Sequence, residues 1–151
     1  MERTNFTYTT YISAEPDKVF NALIDPGTTK KYWQQVNLSD WKPGSRWVHR
    51  GIDKNSPIDL IGKVIEYSPP RRLVITWAFP IDEFTEEKHS RVAFDIEPYQ
   101  GVTRLTIVHE GLQPDSEMLR GITEGWPMVL SSMKTLLETG RALPKLWEKA
   151  A

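Results

Sequence analysis

The side chains that could do acid–base or metal chemistry in this 151-residue chain are three histidines, at positions 49, 89 and 109. They form no H-x-x-x-H or H-x-H pair, and no carboxylate cluster joins them in sequence. The chain has no cysteine, which excludes disulfides, thiolate metal ligands and a cysteine nucleophile. It also has no G-x-S-x-G motif, Walker A motif or glycine-rich phosphate loop. The sequence therefore predicts no metal site, no cofactor and no defined catalytic residue.

His109 is the histidine that strand periodicity places on an apolar face, because it follows Leu105 and Ile107 at two-residue steps. An inward imidazole needs a partner. The favoured interpretation is a core histidine bonded to a backbone carbonyl or a neighbouring side chain. The alternatives are a group that orients a ligand, or a general base with an ordinary pKa near about 6.5. His49 and His89 stand near polar strand positions and are predicted to face solvent.

Alternating polar and apolar residues predict the strands that position these side chains. Phe6, Tyr8 and Ile12 lie at even spacing among threonines, which is typical of a half-buried strand. Six more strands are predicted, at roughly 37–41, 46–52, 58–67, 72–79, 88–97 and 101–110. Their connections are short, so neighbouring strands should pair antiparallel, because a parallel pair needs a longer crossover. Two short helices are predicted between the first and second strands.

A long C-terminal helix shows the clearest helical pattern in the chain. Its apolar stripe consists of Trp126, Val129, Leu130, Met133, Leu136 and Leu137. Gly125 is predicted as the N-cap, which places Pro127 in the first turn, where a missing N–H costs little. Gly140 stands where a left-handed residue would end the helix. A short helical turn around Met118 is predicted before this helix.

The predicted sheet is wider than the helix that has to cover it. Six or seven strands at about 4.8 Å spacing span about 30 Å, whereas one helix is about 10–12 Å wide. The sheet should therefore curl around the helix and leave a hollow between them. The large side chains predicted to point into this hollow, and to bind a ligand there, are Trp77, Phe94, His109, Trp126, Leu130 and Met133. Each has a simpler interpretation as core filling.

The amino-acid composition and charge limit the kinds of partner that the protein could bind. The residues are 39% hydrophobic and 26% charged, which is ordinary for one globular domain, here residues 1–151. A formal net charge of -1 with interspersed charges provides no basic field for nucleic acid. The N-terminus has no continuous apolar run, so no signal peptide or membrane span is predicted and a cytoplasmic location is expected.

Six segments, in order, resemble the Activator of Hsp90 ATPase homologue 1-like family of the START/Bet v 1-like (SRPBCC) superfamily. They are AEPDKVFNALIDPGTTKKYW, WKPGSRW, GKVIEYSPPRRLVITW, SRVAFDIEP, TRLTIVHEGL and GWPMVLSSMKTLLETG. The resemblance implies an α+β helix-grip fold, with a curved antiparallel sheet of six to seven strands around a long C-terminal helix. It also implies that Trp33, Trp77 and Trp126 line a cavity, although the family's usual tandem tryptophans are Tyr32-Trp33 here. The family is most often met as small bacterial stand-alone domains.

Three hypotheses on function remain, because the superfamily includes carriers, cyclases and a co-chaperone domain. The first is a carrier or sensor of a small hydrophobic or aromatic molecule, without catalysis. The second is a polyketide cyclase or aromatase-like enzyme in which His109 moves protons. The third is an Hsp90-type co-chaperone or another protein-binding module, with a protein partner or a homodimer. The third is least favoured, because the eukaryotic co-chaperones carry an additional N-terminal domain that this sequence does not show.

Overall fold

The structure, a computed structural model, describes residues 2–144. Its strands and helices, in chain order, are β1 (Thr4–Ile12), α1 (Pro16–Ile24), α2 (Pro26–Tyr32), β2 (Gln35–Ser39), β3 (Arg46–Gly51), β4 (Ile58–Ser68), β5 (Arg72–Trp77), β6 (Ser90–Tyr99), β7 (Val102–Leu112) and α3 (Glu117–Thr139). Two short 3-10 turns, Pro80–Asp82 and Glu86–Lys88, lie between β5 and β6. The predicted helix-grip fold is confirmed.

All seven strands form one antiparallel sheet in the order β1-β7-β6-β5-β4-β3-β2. Strands β2 to β7 follow one another as a meander, and β1 forms the other edge of the sheet by pairing with β7. The curved sheet packs its apolar face against α1 and α3. Buried side chains from both layers fill the space between them, among them Ile12, Val64, Ile75, Ile96, Ile107 and Val129.

One close contact links β3 and β5 across the strand that lies between them. The indole Nε1 of Trp47, on β3, donates to the backbone carbonyl of Thr76, on β5, across 2.7 Å. To do so it crosses Gly62 of β4, where an added Cβ would lie 2.0 Å from the Thr76 oxygen and 2.6 Å from Trp47 Nε1. A glycine is therefore required here, because any side chain would collide with both groups.

Helix α3 begins earlier than the sequence predicted. Its N-cap is Ser116, whose Oγ accepts the Leu119 N–H at 3.0 Å, so the prediction of Gly125 as the cap is wrong. Pro127 lies inside the helix, where it withholds one backbone hydrogen bond. Burial of Ile122 and Trp126 on one face offsets this, because the apolar stripe continues across the proline without a break. The predicted C-cap is confirmed: Gly140 has φ 85 and donates to the Leu136 carbonyl.

The loop between β5 and β6 is rich in acidic residues and contains the two 3-10 turns. Glu83 of this loop pairs with Arg46 of β3 at 2.8 Å. Beside it, Ile81 and Phe84 are 90% and 91% exposed, which is unusual for large apolar side chains. In the part of the chain that is described, no helix is long and apolar enough to cross a bilayer.

Candidate functional site

A cleft of about 560 Å³ opens between strands β3 to β5 and the N-terminal half of α3. Its aromatic walls are Trp33, which caps the end of α2, together with Trp77, Phe79 and Trp126. The exposed residues Asp59, Glu117 and Gly121 also border it, so it communicates with solvent at the start of α3. We refer to this space as the cleft.

Three of the predicted site residues meet in the cleft wall. The ring centroids of Trp33 and Trp126 lie 5.5 Å apart, and those of Trp77 and Trp126 lie 5.2 Å apart. Separations in this range are typical of favourable aromatic pairs. All three rings are buried against the core on one side and reach the cleft on the other.

The other four predicted residues, Phe94, His109, Leu130 and Met133, are buried and lie outside the cleft wall. Phe94 meets Trp126 edge to face, with centroids 5.7 Å apart. Leu130 and Met133 lie on the C-terminal side of Trp126 in α3 and fill the space there. The hollow expected under the whole helix is therefore reduced to a cleft at one end of it. Ligand binding by the seven residues stays a prediction.

His109 points inward, as the alternation indicated, and has 0% exposure. The Trp126 indole Nε1 donates to His109 Nδ1 at 3.1 Å. Nδ1 is therefore an acceptor, so the ring proton is on Nε2, which donates to Ser90 Oγ at 2.8 Å. Ser90 in turn donates to the Trp77 carbonyl at 3.1 Å. Burial lowers the His109 pKa to about 3, so this imidazole is neutral at ordinary pH.

His49 contradicts the sequence analysis, which placed it in solvent, because it is only 5% exposed and borders the cleft. It stands directly opposite Asn37 in the β2–β3 pair, which puts both side chains on the concave face. Its Nδ1 lies 2.6 Å from Asn37 Oδ1. Burial lowers the His49 pKa to about 4. His49 has the same strand parity as Trp47, which is also buried, but the apolar Val48 has the opposite parity, so the sequence of this short strand does not show which face is covered.

His89 is half-buried, so the expectation of a solvent-facing side chain is also corrected. Its Nε2 lies 3.1 Å from the Asp82 carbonyl oxygen and 2.9 Å from that of Glu83. Nε2 therefore carries the proton, and Nδ1 accepts from Thr76 Oγ1 at 3.0 Å. His89 ties the β5–β6 loop to the sheet and does not border the cleft.

Two polar atoms at the edge of the cleft are buried without a hydrogen-bond partner among residues 2–144: Gln35 Oε1 and Trp77 Nε1. An unpaired buried polar group costs about 1–3 kcal/mol, so native proteins contain few of them. Both of these unpartnered atoms in the described chain belong to residues that line the cleft. No group of three His, Cys, Asp or Glu side chains within that same span could hold a metal ion.

The structure is similar to several solved structures of small proteins. A protein from Mesorhizobium loti, MLL2253, has 23% identity and a TM-score of 0.72, covering 89% of this chain and 96% of its own. The Aha1 dimer from Colwellia psychrerythraea has 20% identity and a TM-score of 0.73, covering 92% and 99%. CalU16 from Micromonospora echinospora has 21% identity and a TM-score of 0.74, covering 97% and 73%. At these identities the likeness establishes the fold alone.

Comparison of this sequence with protein-family models agrees with the structural similarity. No curated protein matches this chain significantly. The family model described as "Activator of Hsp90 ATPase homolog 1-like protein" matches residues 13–138, from the end of β1 to the last turn of α3. This range is well over half of the sequence and includes every side chain of the cleft wall. The chain therefore belongs to the Activator of Hsp90 ATPase homolog 1-like family.

Proposed function

We propose that the protein is a carrier or sensor that holds a small, flat, hydrophobic molecule in the cleft. The observation that carries this proposal is the meeting of three tryptophans, from the C-cap of α2, from β5 and from α3, around an open volume of about 560 Å³. That volume lies within the usual range for small-molecule sites, about 300–1,000 Å³. The unpartnered polar atoms of Gln35 and Trp77 add support, because a site for a ligand is one place where such atoms are retained.

The charged residues at the border of the cleft limit the class of ligand that it can bind. Within the described chain, the charged residues that border the cleft are Asp59 and Glu117, both acidic. No lysine or arginine lines it there, so a carboxylate or phosphate would meet like charge and find no counter-ion. The cleft is therefore best suited to a neutral or cationic aromatic molecule, and fatty acids and phosphorylated compounds should bind weakly.

Binding without catalysis fits the geometry better than a cyclase that uses His109. Both ring nitrogens of His109 are occupied by protein partners, and the ring lies outside the cleft wall. His49 does border the cleft, but a pKa of about 4 makes it a weak base near neutral pH, far from the match that general-base catalysis favours. Among residues 2–144, no carboxylate is a hydrogen-bond partner of either histidine.

Gly121 offers a direct test of the cleft. It lies on the same face of α3 as Met118, Ile122 and Gly125, and an added Cβ would have no atom of the described residues within 4 Å. Gly121→Phe should therefore project a ring into the cleft and displace a ligand. With the neutral fluorescent probe N-phenyl-1-naphthylamine, we expect saturable binding of one probe per wild-type molecule. Affinity should be at least about 10-fold weaker in Gly121→Phe, because the walls no longer enclose the probe.

The matched control is Gly121→Ala, which adds one methyl group and leaves the cleft open. Its affinity for the probe should equal that of the wild type, and its free energy of unfolding should rise by about 0.5–1 kcal/mol because alanine favours the helix interior. Equal binding by all three proteins would place the probe elsewhere. No saturable binding by the wild type would refute the carrier proposal.

A second candidate function, contact with a second copy of the chain, is favoured by the exposed pair Ile81 and Phe84. Both project from the β5–β6 loop, and the similar Colwellia protein is described as a dimer. We expect light scattering after gel filtration to show a concentration-dependent dimer that Ile81→Ser/Phe84→Ser abolishes. The doubly substituted protein should keep its melting temperature, because these exposed side chains contribute little to folding. A wild type that remains monomeric at high concentration would contradict this proposal.

A further inference from the structure

The side-chain amide of Asn37 determines which nitrogen of His49 carries the proton. Asn37 Nδ2 donates to the Leu23 carbonyl at 3.1 Å, which orients the amide with Oδ1 toward His49. Because Oδ1 can only accept, His49 Nδ1 must be the donor across the 2.6 Å contact. His49 Nε2 is then left with a lone pair and no proton. Asn37 on β2, itself anchored to Leu23 of α1, therefore holds the imidazole in one tautomer and one orientation.

This lone pair faces the cleft. His49 borders the cleft, and its Nε2 has no hydrogen-bond partner in residues 2–144. Among residues 2–144, the side-chain polar atoms that are both shielded from solvent and without a hydrogen-bond partner are Gln35 Oε1 and Trp77 Nε1. His49 Nε2 is not one of them, although it too has no partner there, so it is not shielded from solvent. It therefore keeps contact with the open volume. The cleft thus contains an acceptor that no group of residues 2–144 satisfies.

Aromatic rings stand beside this acceptor. The centroid of the Trp33 ring is 4.6 Å from that of His49, and the Trp77 ring is 6.5 Å away. An aromatic molecule that packs on these tryptophans would bring a substituent on its edge within reach of His49. A hydroxyl or N–H on that edge would satisfy Nε2, whereas an ether or carbonyl oxygen would place its own lone pairs against it.

We propose that His49 Nε2 is the hydrogen-bond acceptor by which the cleft selects aromatic molecules that carry a hydroxyl or N–H group. The inference rests on the proposed function, since it names the chemistry that the same cleft recognises. His49 is a ligand-binding residue and not a catalytic one. Asn37 is the positioning residue that keeps the lone pair turned toward the ligand.

The test compares 2-naphthol with 2-methoxynaphthalene, which share one ring system and differ in the single O–H donor. We expect the wild type to bind 2-naphthol about 10-fold more tightly in calorimetric titration, because the ether leaves Nε2 unpaired. His49→Phe keeps a ring of similar shape but has no acceptor, so both compounds should bind it equally. Asn37→Leu should reduce the preference, since Nδ1 and Nε2 are then free to exchange the proton.

Nitrogen-15 NMR of the wild type provides a measurement that does not depend on a variant folding. The His49 signals should show a protonated Nδ1 and a bare Nε2, and the Nε2 signal should shift with 2-naphthol but not with the ether. Equal affinity for the two compounds in the wild type, or the same Nε2 shift with both, would overturn the selection while leaving the carrier proposal intact. A preference that persists in His49→Phe would overturn it too. Failure of both compounds to bind would refute both proposals.

Discussion

Lowering the pH from 7.5 to 5 should reduce the free energy of unfolding by about 4 kcal/mol, because two buried histidines must stay neutral in the folded protein. The pKa of His109 is about 3 and that of His49 about 4 when folded, against about 6.5 when unfolded. Between these values the unfolded chain binds the extra protons, so stability is fully present above pH 6.5 and falls as the pH drops toward the folded pKa. Each histidine contributes about 2 kcal/mol of the loss by pH 5.

Urea unfolding at a series of pH values measures this effect, and the melting temperature should fall by about 8–16 °C over the same range. Few carboxylates titrate above pH 5, so the histidines should dominate. His49→Gln and His109→Gln should each remove about half of the pH dependence, whatever they do to stability at pH 7.5. A stability that is flat from pH 7.5 to 5 would show that the two imidazoles are not protected from protonation.

Replacing Trp126 with alanine should lower the free energy of unfolding by about 3–5 kcal/mol, the usual cost of removing a large buried aromatic side chain. Trp126 is 2% exposed, and its ring packs against Trp33, Trp77 and Phe94. Its loss also removes the donor to His109 Nδ1. Trp126→Phe keeps most of the packing but leaves that nitrogen unpaired, so it should cost about 1–3 kcal/mol. Urea unfolding at pH 7.5 provides both values.

Met128, on the same helix, supplies a matched control. It is 37% exposed, and Met128→Ala should change stability by less than about 0.5 kcal/mol. The donor from Trp126 has a second consequence: without it, His109 Nδ1 accepts a proton more readily, so the pKa of His109 in the folded protein should be higher in Trp126→Phe than in the wild type. A Trp126→Ala protein as stable as the wild type would show that the aromatic cluster does not support the core.

Periodicity predicted the sheet well where one strand face is wholly apolar. Val92, Phe94 and Ile96 alternate with polar or small residues, and the structure buries all three. The same rule oriented His109 inward. The rule failed for His49, because its neighbour Val48 is apolar and points to the opposite face of the same short strand. Alternation alone therefore does not show which of the two faces is buried. Only the pairing of β3 with β2 and β4 decides which of the two faces is covered.

Helix α3 also has features that the sequence predicted and one that it did not. Its apolar stripe and its Gly140 end were readable from spacing, because both depend on local geometry. The start of α3 could not be read from spacing. Pro127 by itself favours a first-turn position, whereas burial of Ile122 and Trp126 against the sheet favours a helix that begins earlier. Tertiary packing overrides a local propensity of a few kcal/mol when a continuous apolar face is available.

The sequence by itself determined the strand and helix order, the antiparallel meander, the family and the three tryptophans that meet at the cleft, since these follow from periodicity, turn chemistry and recognisable segments. The tertiary structure alone decided how much of the space beside α3 stays open and which histidine borders it. Both depend on contacts between residues far apart in the chain: Trp126 with His109, and Asn37 with Leu23 and His49. Side-chain volume and hydrogen-bond direction determine such contacts, and neither leaves a periodic signal along the sequence.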